Sequence, residues 1–461
     1  DDAAVEAALA ASAHRIKLEV VQNRLAVAAM EPRACLADWR EGRLHFTFGG
    51  QGVWGQKAEL ARMLNLPPEA VRVTNRDVGG GFGMKGMPHP EYIPVAAAAR
   101  MLGRPVRWAS DRSEAMLSDN AARDLVAETE MGFDDAHRIT AYRVRVRSNL
   151  GAYNSQFAQF IQSTLFSRVL TGAYDIPLAA METEGFFTNT TPVDAYRGAG
   201  RPEAILTLER TIDHAARVLG VDPFALREAN MIRAFPYAMM NGETIQDGDF
   251  LRVLKRLKAE TDVEGYPARC AESAARGLRR GIGLAFYIES ILGDPSETAN
   301  VVFRADGTVA LHVGTQSNGQ GHETVYPRLL AERTGIPEDR IVIVQGDSDA
   351  IPVGGGTGGS RSVTLQGSAI HTTAGAMVAA FAAFLEEDMG EGVAFGDGTF
   401  GAPGSNRRLT MIEAADLARA RGRDDLLAHS RSVQITQRSF PNGGHVAEVE
   451  VDPETGQVAL V

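Results

Sequence analysis

Leu44-His45-Phe46-Thr47-Phe48-Gly49-Gly50-Gln51 alternates as a strand and then breaks into a glycine loop. A helix is predicted from about Trp54 to Leu64. Leu66-Pro67, a strand at Val71-Arg72-Val73, Asp77 and Gly79-Gly80-Gly81 follow. The same plan recurs further along the chain. A strand at Val309 to Val313 leads to Gln316 and Gly319-Gln320-Gly321, then to a helix ending near Thr334. Ile336-Pro337, the strand Ile341-Val342-Ile343, Asp347 and a glycine run from Gly354 complete the second copy. Leu60-Ala61 matches Leu330-Ala331, Glu69 matches Asp339 and Asp77 matches Asp347, all at one offset of 270 residues. We read these stretches as two β–loop–α–β units, one in each of two domains. Backbone N–H groups at such loops and helix starts suit an anionic, elongated ligand.

At 461 residues the chain exceeds what one core usually supports. Strands and helices are interspersed without strict βαβ alternation, so the expected class is α+β with mixed sheets. The expected break is the polar, arginine- and alanine-rich stretch from Tyr266 to Arg280, giving domains at 1–265 and 281–461. Beyond it, Gly281 to Ser290 reads as a buried strand, and Val301 to Val313 as a hairpin turning at Asp306-Gly307.

A second kind of loop lies at Ala195-Tyr196-Arg197-Gly198-Ala199-Gly200-Arg201. Small residues between two arginines leave the backbone open to close approach. A helix follows from Pro202-Glu203 to Leu219, with Ile205, Leu208, Ile212 and Ala215 on one face and Gly220 as its stop.

The net charge of −11 argues against nucleic acid as the main partner. The longest apolar candidate, near Ile93 to Leu102, is too short for a membrane span. Two cysteines, Cys35 and Cys270, exclude a disulfide framework and a cluster needing about four thiolates, so electron relays belong on other chains. Both are expected to be buried structural thiols, and the low count fits a reducing compartment. Both ends read as cut, at Asp1-Asp2 and at Val461. Gly81-Phe82-Gly83-Met84-Lys85-Gly86 satisfies GxGxxG, but Met87-Pro88-His89-Pro90 delays any helix, which disfavours a dinucleotide fold. There is no G-x-S-x-G elbow, and the ten histidines show no zinc spacing.

Together the loops resemble the molybdenum-binding subunit of the xanthine dehydrogenase / aldehyde oxidase family. The carrying residues are Gln51, Gly79 to Lys85, Ala195 to Arg201, Gly319 to Thr324 and Gly359 to Ser362, in the family's order. The likeness runs from about Val20 to Val461 and is greatest to large subunits of the carbon-monoxide-dehydrogenase-like type. The resemblance implies two mixed α/β-type domains that bind a molybdenum cofactor, either molybdopterin or molybdopterin cytosine dinucleotide. It also implies hydroxylation of an aldehyde or N-heteroaromatic carbon with water as oxygen donor.

The roles implied by analogy are specific. Gln51 would hydrogen-bond a molybdenum oxo group, while Gly81-Phe82-Gly83 and Arg197 would face the metal's oxygen ligands. Gly319-Gln320-Gly321-His322 and Ser360-Arg361-Ser362 would hold the pterin or its phosphates, with Arg361 offering charge to a pyrophosphate. Phe82 is equally readable as a core aromatic. The metal itself would be held by the pterin dithiolene, not by protein side chains. Electrons would pass to a 2Fe–2S small subunit and an FAD-binding medium subunit in a dimer of heterotrimers, in the cytoplasm, with periplasmic export left open.

Three departures qualify the resemblance. Copper-holding members carry Ala-Tyr-Arg-Cys-Ser-Phe-Arg, where this chain has Gly198 in place of the cysteine. Ala199 stands where xanthine-oxidising members place a phenylalanine. The family's general base is a glutamate in a Gly-Glu pair that nothing here matches, and it is expected beyond residue 461. Glu203, Glu289 and Glu323 lie in no such motif. The expectation is therefore a piece of a large subunit that is inactive alone. The alternatives are a split or non-catalytic cofactor-binding piece needing a second chain and, less favoured, a nucleotide-binding enzyme.

Overall fold

The computed structural model describes residues 2–291 and 293–461. They form two compact units, each assembled from separated segments. The first takes Asp1–Ala26, Asn120–Ile291 and Arg438–Val461, and the second takes Val27–Asp119 and Leu292–Gln437.

The second unit holds both copies of the repeat, which the sequence reading had placed in separate domains. In one copy the sheet order is Val71–Thr74, Arg43–Phe48, Ala34–Arg40, Val106–Ala109. In the other it is Ile341–Val344, Val309–Val313, Ser296–Phe303, Ala428–Gln434. Each sheet opens with a parallel pair and continues antiparallel. The parallel pairs require crossovers, supplied by the helices Trp54–Met63 and His322–Thr334. Leu44 faces Val71, and Val309 faces Ile341. The offset is thus 265 at the first strand (44 to 309) and 270 at the second (71 to 341). Five extra residues lie in the second copy's loop, where Gly319-Gln320-Gly321 stands.

The copies meet at their second strands. Asn75 N donates to the Gly346 carbonyl at 2.7 Å, and Ser348 N to the Val73 carbonyl at 3.0 Å. Arg72 pairs with Asp347 at 2.6 Å and Arg43 with Asp349 at 2.7 Å.

The helix Gly367–Met389 buries Ala369, Ile370, Thr373, Ala374, Met377, Phe381, Phe384 and Leu385, a stripe at helical spacing, in the core of the second copy. With the turn before it, Ser362–Met389 has the length and composition of a membrane span. It exceeds the Ile93–Leu102 stretch singled out from sequence, because alanines and large apolar residues run through most of its length.

The first unit is built on a sheet in the order His14–Ala26, Ala121–Phe133, Ile139–Gly151, Ala179–Phe187. The helix Arg201–Leu219 buries Ile205, Leu208, Ile212 and Ala215 in its core and ends at Gly220 with a left-handed backbone. Below it, Arg227, Glu209 and Asp213 form a buried ion cluster, with Glu209 also accepting from Tyr174 Oη and Phe286 N. A second sheet joins Arg279–Ile288, Asn442–Val451 and Val458–Leu460. The stretch expected as a break is instead largely the helix Tyr266–Ala275. Three arginines of the stretch are bound: Arg269 and Arg280 pair with Glu448, and Arg276 pairs with Glu450. Cys35 is buried, which pushes its thiol up to about 12, whereas Cys270 is half-exposed.

Candidate cofactor site

Gln51 is 7% exposed and spans two loops. Its Oε1 accepts from Gly83 N at 2.8 Å, and its Nε2 donates to the Thr357 carbonyl at 2.8 Å. Thr357 N returns a bond to the Gln51 carbonyl at 2.6 Å. Only glycine fits around this hub. A Cβ on Gly81 would lie 2.6 Å from Gln51 Oε1, and one on Gly52 would lie 2.7 Å from Gly356 Cα. Phe82 and Gly83 both take positive φ, +55° and +105°. Phe82 is exposed, so the core-aromatic alternative does not hold. Gly83 N–H is committed to Gln51.

The loop is held from beneath by Lys85, which is fully buried and donates to Glu31 Oε2 at 2.7 Å. The same Glu31 oxygen accepts from Gly79 N at 2.9 Å. Burial pushes the Lys85 ammonium below its usual range, and Glu31 opposes that shift.

Thr357 joins the second copy's loops to the hub. Its hydroxyl donates to the Gln316 carbonyl at 2.8 Å, accepts from Gln316 N at 3.1 Å and lies 3.2 Å from Ser362 Oγ. Asn318 Nδ2 reaches the Gly50 carbonyl at 2.9 Å. Gln320 Nε2 donates to the Gln316 carbonyl at 3.1 Å and sits 3.2 Å from His322 Nε2. Gly319, Gln320 and Ser360 are exposed, while His322 is buried against Tyr326. Burial lowers the His322 pKa, with Glu323 opposing the shift, and its Nδ1 has no hydrogen-bond partner. Gln51, Gly83, Gln320 and Ser362 are thus brought into one hydrogen-bonded set.

Arg361 is different. Its guanidinium is buried and donates to Glu297 at 2.7 Å, to the Gly356 carbonyl at 2.8 Å, to the Asp294 carbonyl at 3.1 Å and to the Ser296 carbonyl. It braces the glycine loop from inside.

The loop Ala195 to Arg201 belongs to the first unit. Gly198, Ala199 and Gly200 all have positive φ (+97°, +44°, +91°). A Cβ on Gly198 would lie 2.5 Å from Pro202 Cδ, and one on Gly200 would lie 2.5 Å from the Ile161 carbonyl. Arg123, itself at φ +64°, donates to the Tyr196 carbonyl at 3.3 Å, the Arg197 carbonyl at 3.0 Å and Glu203 Oε1 at 3.1 Å. Arg197 is exposed. Glu203 caps the helix by accepting from Gly200 N at 2.8 Å, and Glu289 accepts from Arg201 at 2.6 Å. Both carboxylates have structural partners.

Thr357, Lys85 and Arg123 were not singled out as site residues by the sequence reading. Thr357 could have been found as the one hydroxyl inside the run Gly354 to Gly359. Arg123 carries no motif, because its role depends on its backbone angle.

Among the described residues no cluster of three His, Cys, Asp or Glu could hold a bare metal ion. The donors at the hub are carboxamides, hydroxyls and backbone N–H groups on loops stripped of side chains. Gln51 Nε2 keeps a second N–H beyond its bond to Thr357. This set fits an oxygen-rich organic cofactor that brings its own metal ligands.

The chain matches the molybdopterin cofactor-binding domain family through two models, over residues 1–231 and 256–461. It is 30% identical to the nicotine 6-hydroxylase large subunit of Paenarthrobacter nicotinovorans, over 99% of this chain and 59% of that one. It is 31% identical to the carbon monoxide dehydrogenase large chain of Hydrogenophaga pseudoflava, over 81% of this chain and 49% of that one. The crystal structure of quinoline 2-oxidoreductase from Pseudomonas putida 86 superposes with a TM-score of 0.93 at 28% identity, covering 99% of this chain and 62% of that one. The chain therefore spans about three-fifths of the relatives it matches over nearly its whole length.

Proposed function

The chain belongs to the molybdopterin cofactor-binding domain family, and from that premise we propose that it is the cofactor-holding part of a molybdenum hydroxylase large subunit. The reading rests on one observation above the others. Gln51 ties the loops of both repeat copies together and retains an amide N–H for a ligand.

When bound, the cofactor supplies a two-electron oxidation in which a substrate C–H becomes C–OH with oxygen from water. The chain's own residues position and enclose. Gln51 orients an acceptor oxygen of the bound group through its spare N–H. Lys85 and Glu31 hold the Gly79–Gly83 turn so that Phe82 stays outward. Gln320, Gly321 and Ser362 offer polar contacts to the pterin and phosphates. A pyrophosphate would meet the backbone around Ser360 rather than the Arg361 guanidinium, whose donors are taken by Glu297 and three carbonyls. Arg123 fixes the Arg197 backbone.

Relatives named for nicotine and quinoline favour an N-heteroaromatic substrate over an aldehyde. Gly198 disfavours a copper-bridged centre for carbon monoxide. Partners are an FAD-binding subunit and a 2Fe–2S subunit, with the cytoplasm as compartment and the catalytic glutamate outside residues 1–461.

The test is metal and isotope analysis of the complex purified from a cofactor-competent host. Molybdenum near one per large subunit, with 18O from labelled water entering a pyridine or quinoline product, supports the reading. Absence of molybdenum sinks it.

A further inference from the structure

Two successive residues within a strand, Arg123 and Asp124, take left-handed backbone angles, φ +64° and +65°. Residues with a Cβ rarely hold that conformation, and a pair of them persists only where the surroundings fix it. The strand Ala121–Phe133 keeps one register on both sides of this kink, with Arg24 opposite Arg123 and Gln22 opposite Leu125. No residue is inserted, so the kink is not a slip in pairing.

It is fixed by side chains from three other segments. Asp124 Oδ2 accepts from Arg24 Nη1 at 2.8 Å and from Asn149 Nδ2 at 2.9 Å. Asn149 is itself tied, its Oδ1 accepting from Gly151 N at 3.0 Å and Thr188 Oγ1 at 2.7 Å. The Arg123 carbonyl accepts from Gln162 Nε2 at 3.2 Å, and Gln162 is buried.

The Arg123 side chain lies on the loop Ala195 to Arg201. Its guanidinium sits 5.0 Å over the Tyr196 ring and donates to the Tyr196 and Arg197 carbonyls at 3.3 and 3.0 Å. A trans peptide is planar, and its C=O and N–H point in opposite directions. Holding those two carbonyls therefore turns the N–H groups of Arg197 and Gly198 away from Arg123. The same loop is wedged by the π-turn Ile161–Leu165, whose Ile161 carbonyl would lie 2.5 Å from a Cβ on Gly200. That turn also carries Gln162, so one element grips both the kink and the loop. Such turns recur at functional sites. Both bonds of the Asp124 carboxylate go outside the loop, to Arg24 and Asn149, so Asp124 acts on it through Arg123.

We propose that Asp124 is a positioning residue, which locks the kink that holds Arg123 on the loop and thereby aims the Arg197 and Gly198 N–H groups. The consequence for catalysis rests on the loop facing the molybdenum cofactor; the aiming itself does not.

The test is amide hydrogen exchange, read by mass spectrometry, in the purified complex carrying Asp124→Gly or Asp124→Asn. Glycine keeps the left-handed angle and removes both bonds. Asparagine also tolerates that angle, and its one carboxamide oxygen can accept from Arg24 and Asn149 together, as Asp124 Oδ2 does. Peptides spanning residues 195–200 are expected to exchange about tenfold faster in Asp124→Gly and to return to the wild-type rate in Asp124→Asn, with the helix Arg201–Leu219 unchanged. The molybdenum(V) EPR line shape of the reduced complex should change in the first variant and be restored in the second. Should Asp124→Gly fail to assemble, Arg24→Met removes one of the two donors and is expected to quicken the same peptides by about threefold. Wild-type exchange in the folded variants, equal acceleration in Asp124→Asn, acceleration spread through the whole first unit, or one EPR line shape in every form would each overturn the proposal. Faster exchange confined to the loop in a complex without molybdenum would uphold the positioning and sink the cofactor assignment instead.

Discussion

Gln51 Nε2 donates to the Thr357 carbonyl at 2.8 Å across 306 residues of chain, and Thr357 N donates back to the Gln51 carbonyl at 2.6 Å. The pair closes a ring between the first strand loop of one copy and the glycine run of the other. Replacing Gln51 by alanine removes the side-chain bonds to Gly83 and Thr357. The expected loss is about 1–3 kcal/mol in urea unfolding, together with reduced molybdenum content. Gln51→Glu should do no better, since it sets a carboxylate oxygen against the Thr357 carbonyl. Wild-type unfolding midpoints in both variants would refute the role of the hub.

Gly198 stands where copper-holding relatives place cysteine, but its φ of +97° and the nearby Pro202 ring leave no room for a Cβ. Gly198→Cys is expected to cost about 1–3 kcal/mol and to recruit no copper. Elemental analysis and thermal melting of the variant complex check both parts.

Arg361 and Glu297 are each about 1% exposed in their side chains and 2.7 Å apart. Arg361→Met strands a buried carboxylate and should destabilise by about 3–5 kcal/mol. Adding Glu297→Met should recover a substantial part of that loss, although Glu297 also accepts from Thr298 N. If the double variant is as unstable as the sum of the singles, the pair is not acting as a unit.

His89, buried with Nε2 3.0 Å from the Met84 carbonyl, has its pKa lowered to about 4, chiefly by burial. In the unfolded chain it titrates near 6.5. The native state therefore holds fewer protons between these values. The contribution of neutral His89 is fully present above about pH 6.5 and is lost as pH falls through about 4. Stability followed from pH 7.5 to 4.5 should fall more steeply in the wild type than in His89→Phe. Parallel curves would show that another group governs the acid limb.

Much of this architecture is legible in sequence because it is local. The strand at Leu44 to Phe48, the helix from Trp54 and the Asp306-Gly307 hairpin follow from period and turn chemistry, and the repeat was visible as matched spacing. The five-residue difference between copies was not, because the offset of 270 was drawn from the helices and second strands, and the first strands differ by 265. The stretch from Tyr266 read as a linker because its arginines look solvated. Their partners, Glu448 and Glu450, arrive some 170 residues later. Arg361 read as an available cation because Glu297 lies 64 residues earlier and its other acceptors are backbone carbonyls, which leave no mark in sequence. Lys85 closes the glycine stretch that carries the resemblance, but its burial against Glu31 is a tertiary fact.

The chain passes between its two compact units four times, at residues 26, 119, 291 and 437. During synthesis this sets an order. The strand Arg279–Ile288 leaves the ribosome roughly 150 residues before Asn442–Val451, its antiparallel neighbour, is made. At about 5–20 residues per second, that strand spends on the order of ten to thirty seconds without this partner. The second unit has all its segments once Gln437 is made, whereas the first still waits for Arg438–Val461, so the unit that begins first is the one completed last.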